Sequence, residues 1–199
     1  MLEAQGYRLI AGIDEVGRGA LAGPVVAAAV IIPGDVKANW LDQVRDSKQL
    51  NPSRREILFQ YIQEIAVSAG IGVSGHEVID AQGIVRATRL AMKQAVARLS
   101  PPPQHLLIDY LILPEVALPQ KGIIHGDSLC FSIACASIVA KVARDRMMVE
   151  FDRIYHGYGL ARHKGYGTEA HLACLHRLGP CPIHRRSFQP LKDMVYQEK

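Results

Sequence analysis

Four acidic residues stand where apolar segments of this sequence end or where a long helical pattern begins. Asp14 and Glu15 are adjacent and follow an apolar stretch, Asp109 follows HLLI, and Asp127 lies in HGDS. Taken singly, each has an ordinary explanation as a helix cap, a turn residue or the partner of a nearby arginine. Taken together they indicate a bound ligand, because buried strand ends rarely carry unpaired acids.

A pair of divalent cations is the ligand that such a set of acids favours. Mg²⁺ and Mn²⁺ prefer oxygen ligands, and two ions about 3.5–4 Å apart can hold both reacting oxygens of a phosphodiester. Clustered acids repel one another when empty, which raises their pKa values. One geometric question stays open, because adjacent residues of a strand point to opposite faces. Asp14 and Glu15 converge only if the strand bends or ends near Val16-Gly17.

The residues around these acids suit a polyanionic partner, although most surface cations are simply solvated. Positive charge in loops would offset phosphates. Gly17 and Gly19 allow the main chain to approach a ligand closely. Tyr166, between two glycines, either stacks on a sugar or base or fills a gap. The basic residues assigned to loops or to the tail are Arg18, Lys48, His163, Lys164, Arg185 and Arg186.

Composition indicates an ordinary globular protein. The chain has 199 residues, of which 49% are hydrophobic and 21% charged, and a formal net charge of +4. This is enough for one substantial core with a small appended lobe. We expect no membrane span, because no uninterrupted apolar stretch of about 18 residues occurs. The opening MLEAQGYRL lacks the layout of a secretory signal, so we expect a cytoplasmic protein.

Hydrophobic periodicity predicts an α/β fold. A hairpin is expected across GRGALAGP, and Ser53 with Glu56 resembles a capping box. In the long helix near the middle of the chain, Ile133 and three alanines should face inward and Arg144 should not. The predicted strands are 7–13, 25–32, 69–73, 105–108 and 123–124, and the predicted helices start near Ser53 and cover 76–99, 129 to about 155, and 168–177.

Two further patterns are weak. Cys174, His176, Cys181 and His184 could hold zinc, but their spacing matches no standard finger, and reduced cysteines are expected. GIGVSG at 70–75 satisfies the dinucleotide-binding pattern, yet a helix precedes it where a strand is required. A flexible strand explains it better.

Several motifs occur in order and together resemble the ribonuclease HII (type 2 ribonuclease H) family. The resemblance runs from about residue 8 to 190. The motifs are GIDEVGRGALAGPVVAAAVI, DSK at 46–48, LLID at 106–109, GDS at 126–128, SIACASIVAKVARDRM at 132–147, HKGYGT at 163–168 and HRRSF at 184–188.

The resemblance implies a single catalytic domain over residues 1–199. A ribonuclease H-like mixed sheet flanked by helices would extend to about 155, and a C-terminal helical extension would occupy about 156–199. It implies an endonuclease that cleaves RNA in RNA–DNA hybrids and nicks duplex DNA 5′ of single ribonucleotides, as in ribonucleotide excision repair. The products would carry 3′-hydroxyl and 5′-phosphate ends. A monomer is expected.

The resemblance also assigns roles to individual residues. Mg²⁺ or Mn²⁺, two ions per site, would be bound by Asp14, Glu15, Asp109 and Asp127. The ribonucleotide 2′-hydroxyl is the group that distinguishes RNA from DNA. Its contacts would come from Gly17, Arg18, Gly19 and Tyr166, and other substrate contacts from Lys48, Lys164 and Arg186.

Two positions depart from the family pattern. His125 stands where Lys or Arg usually precedes Gly-Asp, and Tyr110 stands where a small residue usually follows the acid. A largely neutral His125 puts a phosphate contact in question. The alternatives are a non-catalytic hybrid-binding module, a resolvase or integrase of similar fold, or ribonuclease HIII. The last carries an extra N-terminal domain for which no room is expected before Gly12.

Overall fold

The computed structural model describes residues 2–37, 39–44 and 50–197, and in them a five-stranded mixed sheet forms the centre. The strand order is β3-β2-β1-β4-β5. The first three sequential strands pair antiparallel, whereas β4 runs parallel to both β1 and β5. The strands are β1 (Ile10–Val16), β2 (Val25–Ile31), β3 (Ser68–Ser74), β4 (His105–Asp109) and β5 (Gln120–Ile123).

Helices cover both faces of the sheet, which explains why every residue of β2 (VVAAAVI) is buried. One apolar core lies between the sheet and α4, and a second lies between the sheet and α6. No helix among the described residues is long and apolar enough to cross a membrane. The helices are α1 (Leu41–Val44), α2 (Pro52–Ile65), α3 (His76–Gln82), α4 (Ile84–Ala97), α5 (Gly126–Leu129), α6 (Phe131–Ile154), α7 (Leu160–His163), α8 (Glu169–Leu178) and α9 (Leu191–Gln197).

Glycines in the strands let these two helices approach the sheet. A Cβ on Gly12 would lie 2.1 Å from the Ser132 carbonyl carbon at the start of α6. A Cβ on Gly72 would lie 1.9 Å from the Ala91 oxygen of α4. Gly72 belongs to GIGVSG, so this part of the pattern serves helix–sheet packing in β3.

The predicted fold class is confirmed, but several boundaries were wrong. The first strand ends at Val16 and not at residue 13, so Asp14 and Glu15 belong to it. Asn51, not Ser53, caps α2, and its side chain accepts from the Arg54 N–H at 2.8 Å. The predicted helix over 76–99 is divided at Gly83, and the one from 129 to 155 is α5 followed by α6.

A third apolar cluster lies beyond the sheet. It joins Leu21 and Ala22 of the β1–β2 loop to Met148 of α6 and to α7, α8 and the segment before α9. The outward orientation predicted for Arg144 was wrong, because this side chain is 0% exposed beside the cluster. The division of the chain near residue 155 stays a prediction.

Candidate functional site

The register of β1 against β4 brings two of the predicted acids together. Ile13 pairs with Ile108 in this parallel ladder, so Asp14 and Asp109, one residue further on, are neighbours on the same face. That face is the one that α6 covers, and the Ser137 side chain of α6 hydrogen-bonds Asp14. Asp14 is consequently only 5% exposed.

Glu15 reaches the same cavity although it follows Asp14 directly. The ladder with β4 stops at Ile13, so β1 continues past its neighbour and its edge is open on that side. Glu15, Asp14 and Asp109 line one cavity of about 410 Å³, here called the acid cavity. β1 ends at Val16, one residue after Glu15, which is one of the two geometries that the sequence left open for bringing Asp14 and Glu15 to one site.

Asp127 lies next to this cavity but outside its lining. Its neighbour Gly126 donates its N–H to Asp109 Oδ1 at 2.7 Å, which ties α5 to the end of β4. Asp127 is 4% exposed, and Ser128 Oγ lies 3.5 Å from its Oδ1. Within residues 2–37, 39–44 and 50–197, no group of three or more His, Cys, Asp or Glu side chains is arranged to hold a metal ion. The structure therefore gathers three predicted acids in the cavity and leaves the fourth beside them.

Two carboxyl groups in the acid cavity, those of Asp14 and Glu15, are electrostatically unfavourable when ionised. Burial raises the pKa of Asp14 well above its ordinary value, and the charges of Glu15 and Asp109 raise it further. Burial also raises the pKa of Glu15, against the lowering effect of Arg18, whose Nη1 lies 3.1 Å from Oε1. A proton or a cation would relieve this cost.

The chemical type of these donors suits divalent cations, although the described side chains are not spaced to hold one as they stand. Glu15 Oε2 is buried and has no hydrogen-bond partner among the described residues, so it is a carboxylate oxygen available as a ligand. The neighbouring donors Asp14 and Asp109 also supply carboxylate oxygens, the ligand type that Mg²⁺ and Mn²⁺ prefer.

The GRG loop (Gly17–Gly19) forms a second wall of the acid cavity. Gly17 has φ +91°, and a Cβ there would lie 2.2 Å from Nε of Arg144. Only glycine satisfies both constraints. Arg18 is partly exposed and Gly19 exposed, so the loop presents its tip to solvent at the cavity mouth.

Two buried arginines hold the β1–β2 loop, which contains the GRG loop, and the role of neither was predicted from the sequence. Arg144 and Arg185 are 0% exposed. Arg185 donates from Nη2 to the Gly17 carbonyl at 2.6 Å, from Nη1 to the Arg18 carbonyl at 2.8 Å and from Nε to the Gly23 carbonyl at 3.0 Å. Burial lowers the pKa of Arg185 to about 9. Its placement among the phosphate-facing cations was wrong.

Arg144 makes the matching contacts from α6. It donates to the carbonyls of Pro24, Lys164 and Ala22 at 2.9, 2.8 and 3.1 Å. The Lys164 contact links the β1–β2 loop to the tyrosine loop, defined as residues 163–168. Sequence patterns carry little signal for this role, since an arginine on a helix is exposed far more often than buried.

Tyr166, one of the predicted substrate-binding residues, lines the acid cavity together with the GRG loop. Its ring lines the cavity and lies 5.5 Å from the Arg144 guanidinium carbon. Gly165 accepts the Leu21 N–H at 2.8 Å, which fixes the tyrosine loop to the β1–β2 loop.

Two other predicted substrate contacts, Lys164 and Arg186, do not line the acid cavity. Lys164 Nζ donates to the Ala161 carbonyl at 2.6 Å and lies beside a different depression. Arg186 is exposed, and its N–H donates to Asp80 Oδ2 at 3.0 Å. Lys48 lies outside the described residues.

Two cations that the sequence analysis did not single out do line the cavity. Lys141 of α6 and Arg55 of α2 both contact Asp145, at 2.7 and 3.8 Å. Burial lowers the pKa of Lys141, and Asp145 opposes this effect. They place positive charge on the lining of the acid cavity, partly offset by Asp145.

The two departures from the family pattern lie outside the acid cavity. Tyr110 has φ +61°, is 63% exposed and donates its N–H to the Ile123 carbonyl. His125 has φ +56° and is exposed at the start of α5. Tyr110 therefore leaves the cavity open.

Known proteins resemble this chain over nearly its whole length. A family model described as ribonuclease HII matches residues 11–191. The ribonuclease HII of Dehalococcoides mccartyi is 59% identical over 195 residues, covering 98% of this chain and 92% of the relative.

Solved structures resemble the fold. The ribonuclease H2 from Pyrococcus horikoshii has a TM-score of 0.78 at 24% identity, covering 94% of this chain and 97% of the other. A ribonuclease HIII (Bst-RNase HIII), crystallised in complex with Mn²⁺, has a TM-score of 0.69 at 18% identity, covering 97% of this chain and 71% of the other. At these identities the likeness supports the architecture alone.

Proposed function

Because the chain belongs to the ribonuclease HII family, endoribonucleases that cut RNA in RNA–DNA hybrids, we propose that it also nicks duplex DNA 5′ of a single embedded ribonucleotide. The observation that carries this proposal is the composition of one cavity. Asp14, Glu15 and Asp109 share it with the GRG loop and Tyr166. Groups suited to cutting a phosphodiester thus adjoin groups suited to recognising a ribose.

The acids would bind two divalent cations, Mg²⁺ or Mn²⁺. Asp14 is buried, Glu15 offers the buried atom Oε2, Asp109 is half-buried, and Asp127 stands beside them on α5. When bound, such ions supply water activation and neutralise charge on the departing 3′ oxygen in an in-line hydrolysis. The products are 3′-hydroxyl and 5′-phosphate ends.

The GRG loop would meet the ribonucleotide through its amide groups. The carbonyls of Gly17 and Arg18 are already bonded to Arg185, so they are turned away from a ligand. The N–H groups of the loop then face the 2′-hydroxyl, and the Tyr166 ring stacks against the sugar from the opposite wall. Lys141 and Arg55 neutralise the phosphates on the far side of the acids.

The wider expectations accompany this proposal. Residues 1–199 form one catalytic domain whose C-terminal helices support the tyrosine loop. The enzyme acts in the cytoplasm as a monomer, and Lys48, Lys164 and Arg186 contact the nucleic acid.

A cleavage assay on defined duplexes tests the proposal. The substrate is duplex DNA with one embedded ribonucleotide, incubated with Mg²⁺ or Mn²⁺, and an all-DNA duplex of the same sequence is the control. We expect one nick, on the 5′ side of the ribonucleotide, with the stated end groups. Cleavage of a continuous RNA–DNA hybrid without that nick would refute the single-ribonucleotide activity and leave the family assignment intact.

A further inference from the structure

A buried chain of side chains connects the C-terminal segment to the backbone of Tyr166. His171 of α8 and His184 are 0% and 1% exposed, and their Nε2 atoms lie 3.0 Å apart. His171 Nδ1 lies 3.0 Å from the Tyr166 carbonyl oxygen. His184 Nδ1 lies 3.0 Å from both the backbone nitrogen and Sγ of Cys181. The nuclease chemistry proposed above uses none of these groups directly.

The hydrogen positions in this chain follow from the fixed donor at one end. The Cys181 N–H can only donate, so His184 Nδ1 is an acceptor and the ring proton is on Nε2. That proton points at His171 Nε2, which must accept it, so the His171 proton is on Nδ1. His171 Nδ1–H then donates to the Tyr166 carbonyl.

Other contacts are compatible with this arrangement. The Cys181 carbonyl also lies 3.2 Å from His184 Nδ1 and accepts the His184 backbone N–H at 3.0 Å. A proton on Nδ1 directed at this carbonyl would leave the Cys181 N–H, 3.0 Å away, without its acceptor. An imidazolium has hydrogen on both nitrogens and cannot accept, so both rings must be neutral. Burial and the neighbouring His171 lower the pKa of His184 to about 4, and burial lowers the pKa of His171.

The same pair of rings lies beneath the tyrosine loop. The His163 ring stacks on His171 with centroids 4.2 Å apart, and its Nδ1 accepts the Gly165 N–H at 3.2 Å. The Tyr166 N–H donates to the His163 carbonyl at 3.0 Å. The backbone on both sides of Tyr166 is therefore fixed by imidazoles, while its ring projects into the acid cavity.

The metal-site pattern seen in the sequence has a different explanation here. Cys181 and His184 are adjacent, but His176 is exposed, and the described residues contain no metal-holding group of three such side chains. In the neutral chain, the acceptor nitrogens of His184 and His171 already receive hydrogen bonds. Those lone pairs are not available to an ion.

We infer that His171 and His184 are positioning residues, whose directed hydrogen-bond chain from Cys181 holds the Tyr166 carbonyl and so sets where the tyrosine ring stands against a ribonucleotide. This inference rests on the proposed function, because it deepens the role given there to Tyr166. Substrate selectivity, rather than the hydrolytic step, is the property that depends on the chain.

The hydrogen-bond chain is testable without activity. Long-range proton–nitrogen correlation spectra of protein labelled with ¹⁵N-histidine report the tautomer of each ring. We expect two neutral rings at pH 7, with the proton on Nδ1 in His171 and on Nε2 in His184. A charged ring or the reverse tautomers would overturn the chain, whatever the enzyme cleaves.

Selectivity is tested with a pair of substitutions at one position. His171→Leu removes both nitrogens, whereas His171→Asn keeps a donor near the place of Nδ1. The readout is kcat/KM for a single-ribonucleotide duplex divided by kcat/KM for a continuous RNA–DNA hybrid. We expect the ratio to fall about tenfold with Leu, the scale of one lost hydrogen bond, and to return within about twofold of wild type with Asn.

Thermal unfolding of each variant accompanies these measurements. If His171→Leu does not fold, His184→Leu, at the other end of the hydrogen-bond chain, replaces it. We expect this variant also to lower the ratio of the two kcat/KM values. An unchanged ratio, or equal losses on the two substrates, would reduce the chain to a structural role and overturn the inference. Wild-type protein that fails to nick at a single ribonucleotide would instead refute the proposed function, and the spectra would still decide the chain.

Discussion

Two neighbouring regions of this molecule bury charge in opposite ways. In the acid cavity, Asp14 and Glu15 are withdrawn from water beside Asp109, and Glu15 Oε2 lacks a hydrogen-bond partner among the described residues. Across the GRG loop, Arg144 and Arg185 are fully buried, yet each donates to three backbone carbonyls. A buried carboxylate oxygen in the acid cavity thus lacks a hydrogen-bond donor, whereas both buried arginines have several hydrogen-bond acceptors.

The two regions therefore have different roles: the buried arginines fix the backbone, and the buried acids favour binding of a cation or proton. A buried cation bonded to several carbonyls is stable only in one backbone arrangement, so it fixes the GRG loop and the tyrosine loop. Buried anions without enough partners are costly until a cation or proton arrives. The fold therefore holds the GRG loop and the tyrosine loop rigidly and leaves the adjoining acids ready for a ligand.

Removing one acid should have the largest effect on cleavage. Asp109→Asn keeps the size of the side chain and an oxygen for the Gly126 N–H, but it removes a negative oxygen ligand. We expect cleavage to fall at least about 1,000-fold, or about 4 kcal/mol in the barrier, with affinity for the hybrid retained. Single-turnover kinetics and a binding titration measure the two quantities. Asp42→Asn, an exposed acid of α1, is the control, and normal cleavage by Asp109→Asn would exclude Asp109 as a ligand.

Removing one buried arginine should have the largest effect on stability. Arg185→Met leaves three carbonyls without their donor, at a cost of about 3 kcal/mol, which lowers Tm by roughly 10 °C in a chain of this size. Activity should fall with it, since the GRG loop loses its hold. Arg186→Met changes the adjacent, exposed arginine and should leave Tm within about 1 °C of wild type. Equal effects of the two substitutions on Tm would contradict a stabilising role for the three carbonyl contacts of Arg185.

Tyr166 lies where the two regions meet, and its loss should alter selectivity. Tyr166→Ala removes the ring that lines the acid cavity and lies over Arg144. We expect nicking at a single ribonucleotide to fall about tenfold or more, with a much smaller loss of duplex affinity. Tyr166→Phe keeps the ring and separates stacking from the hydroxyl. Proportional losses of nicking and affinity would argue against recognition of the ribonucleotide by Tyr166.

The sequence also predicted one of these regions better than the other: it indicated the acids of the cavity but not the buried arginines. The acids were predicted because apolar segments end at Asp14 and Asp109. Such a segment can be recognised from neighbouring residues alone, without knowing the fold. The strand register then brings these two acids together without further help from loops. The fold class was predicted for the same reason, since helical spacing, β-branched runs and the turn residues that bound them are all local.

The buried arginines could not be predicted in this way. Arg144 donates to carbonyls of Ala22 and Pro24, more than a hundred residues away, and helical spacing contains no information about them. The sequence also does not show when backbone carbonyls are the partners of a side chain, which is why the fully buried Arg185 was assigned to the cations that would offset phosphates. The histidine chain was missed likewise, because His171 and His184 lie in separate segments that only the third apolar cluster brings together.

A cation in the acid cavity should affect binding more than chemistry. Lys141→Gln removes a positive charge that faces the acids and any phosphate entering there. We expect hybrid affinity to fall severalfold and the slope of log affinity against log salt concentration to decrease by about one phosphate contact. Lys93→Gln, on an exposed position of α4, is the matched control. An unchanged salt slope would mean that Lys141 forms its ion pair with Asp145 and does not contact a phosphate.

The smallest expected effect is a gain in stability from removing an active-site charge. Asp14 has a folded pKa above its unfolded value, so its ionised form at pH 7 is less favourable in the folded state than in the unfolded chain. Asp14→Asn, which keeps an acceptor for the Glu15 N–H, should raise Tm by a few degrees at pH 7 without divalent metal. The gain should shrink as pH falls from the raised folded pKa toward about 4, where the wild-type carboxyl becomes neutral in both states. Adding Mg²⁺ or Mn²⁺ should stabilise wild type more than the variant, because binding to the folded state alone raises Tm. Calorimetry at several pH values checks each sign, and a lower Tm for Asp14→Asn at pH 7 would show that the acids are better satisfied than their burial indicates.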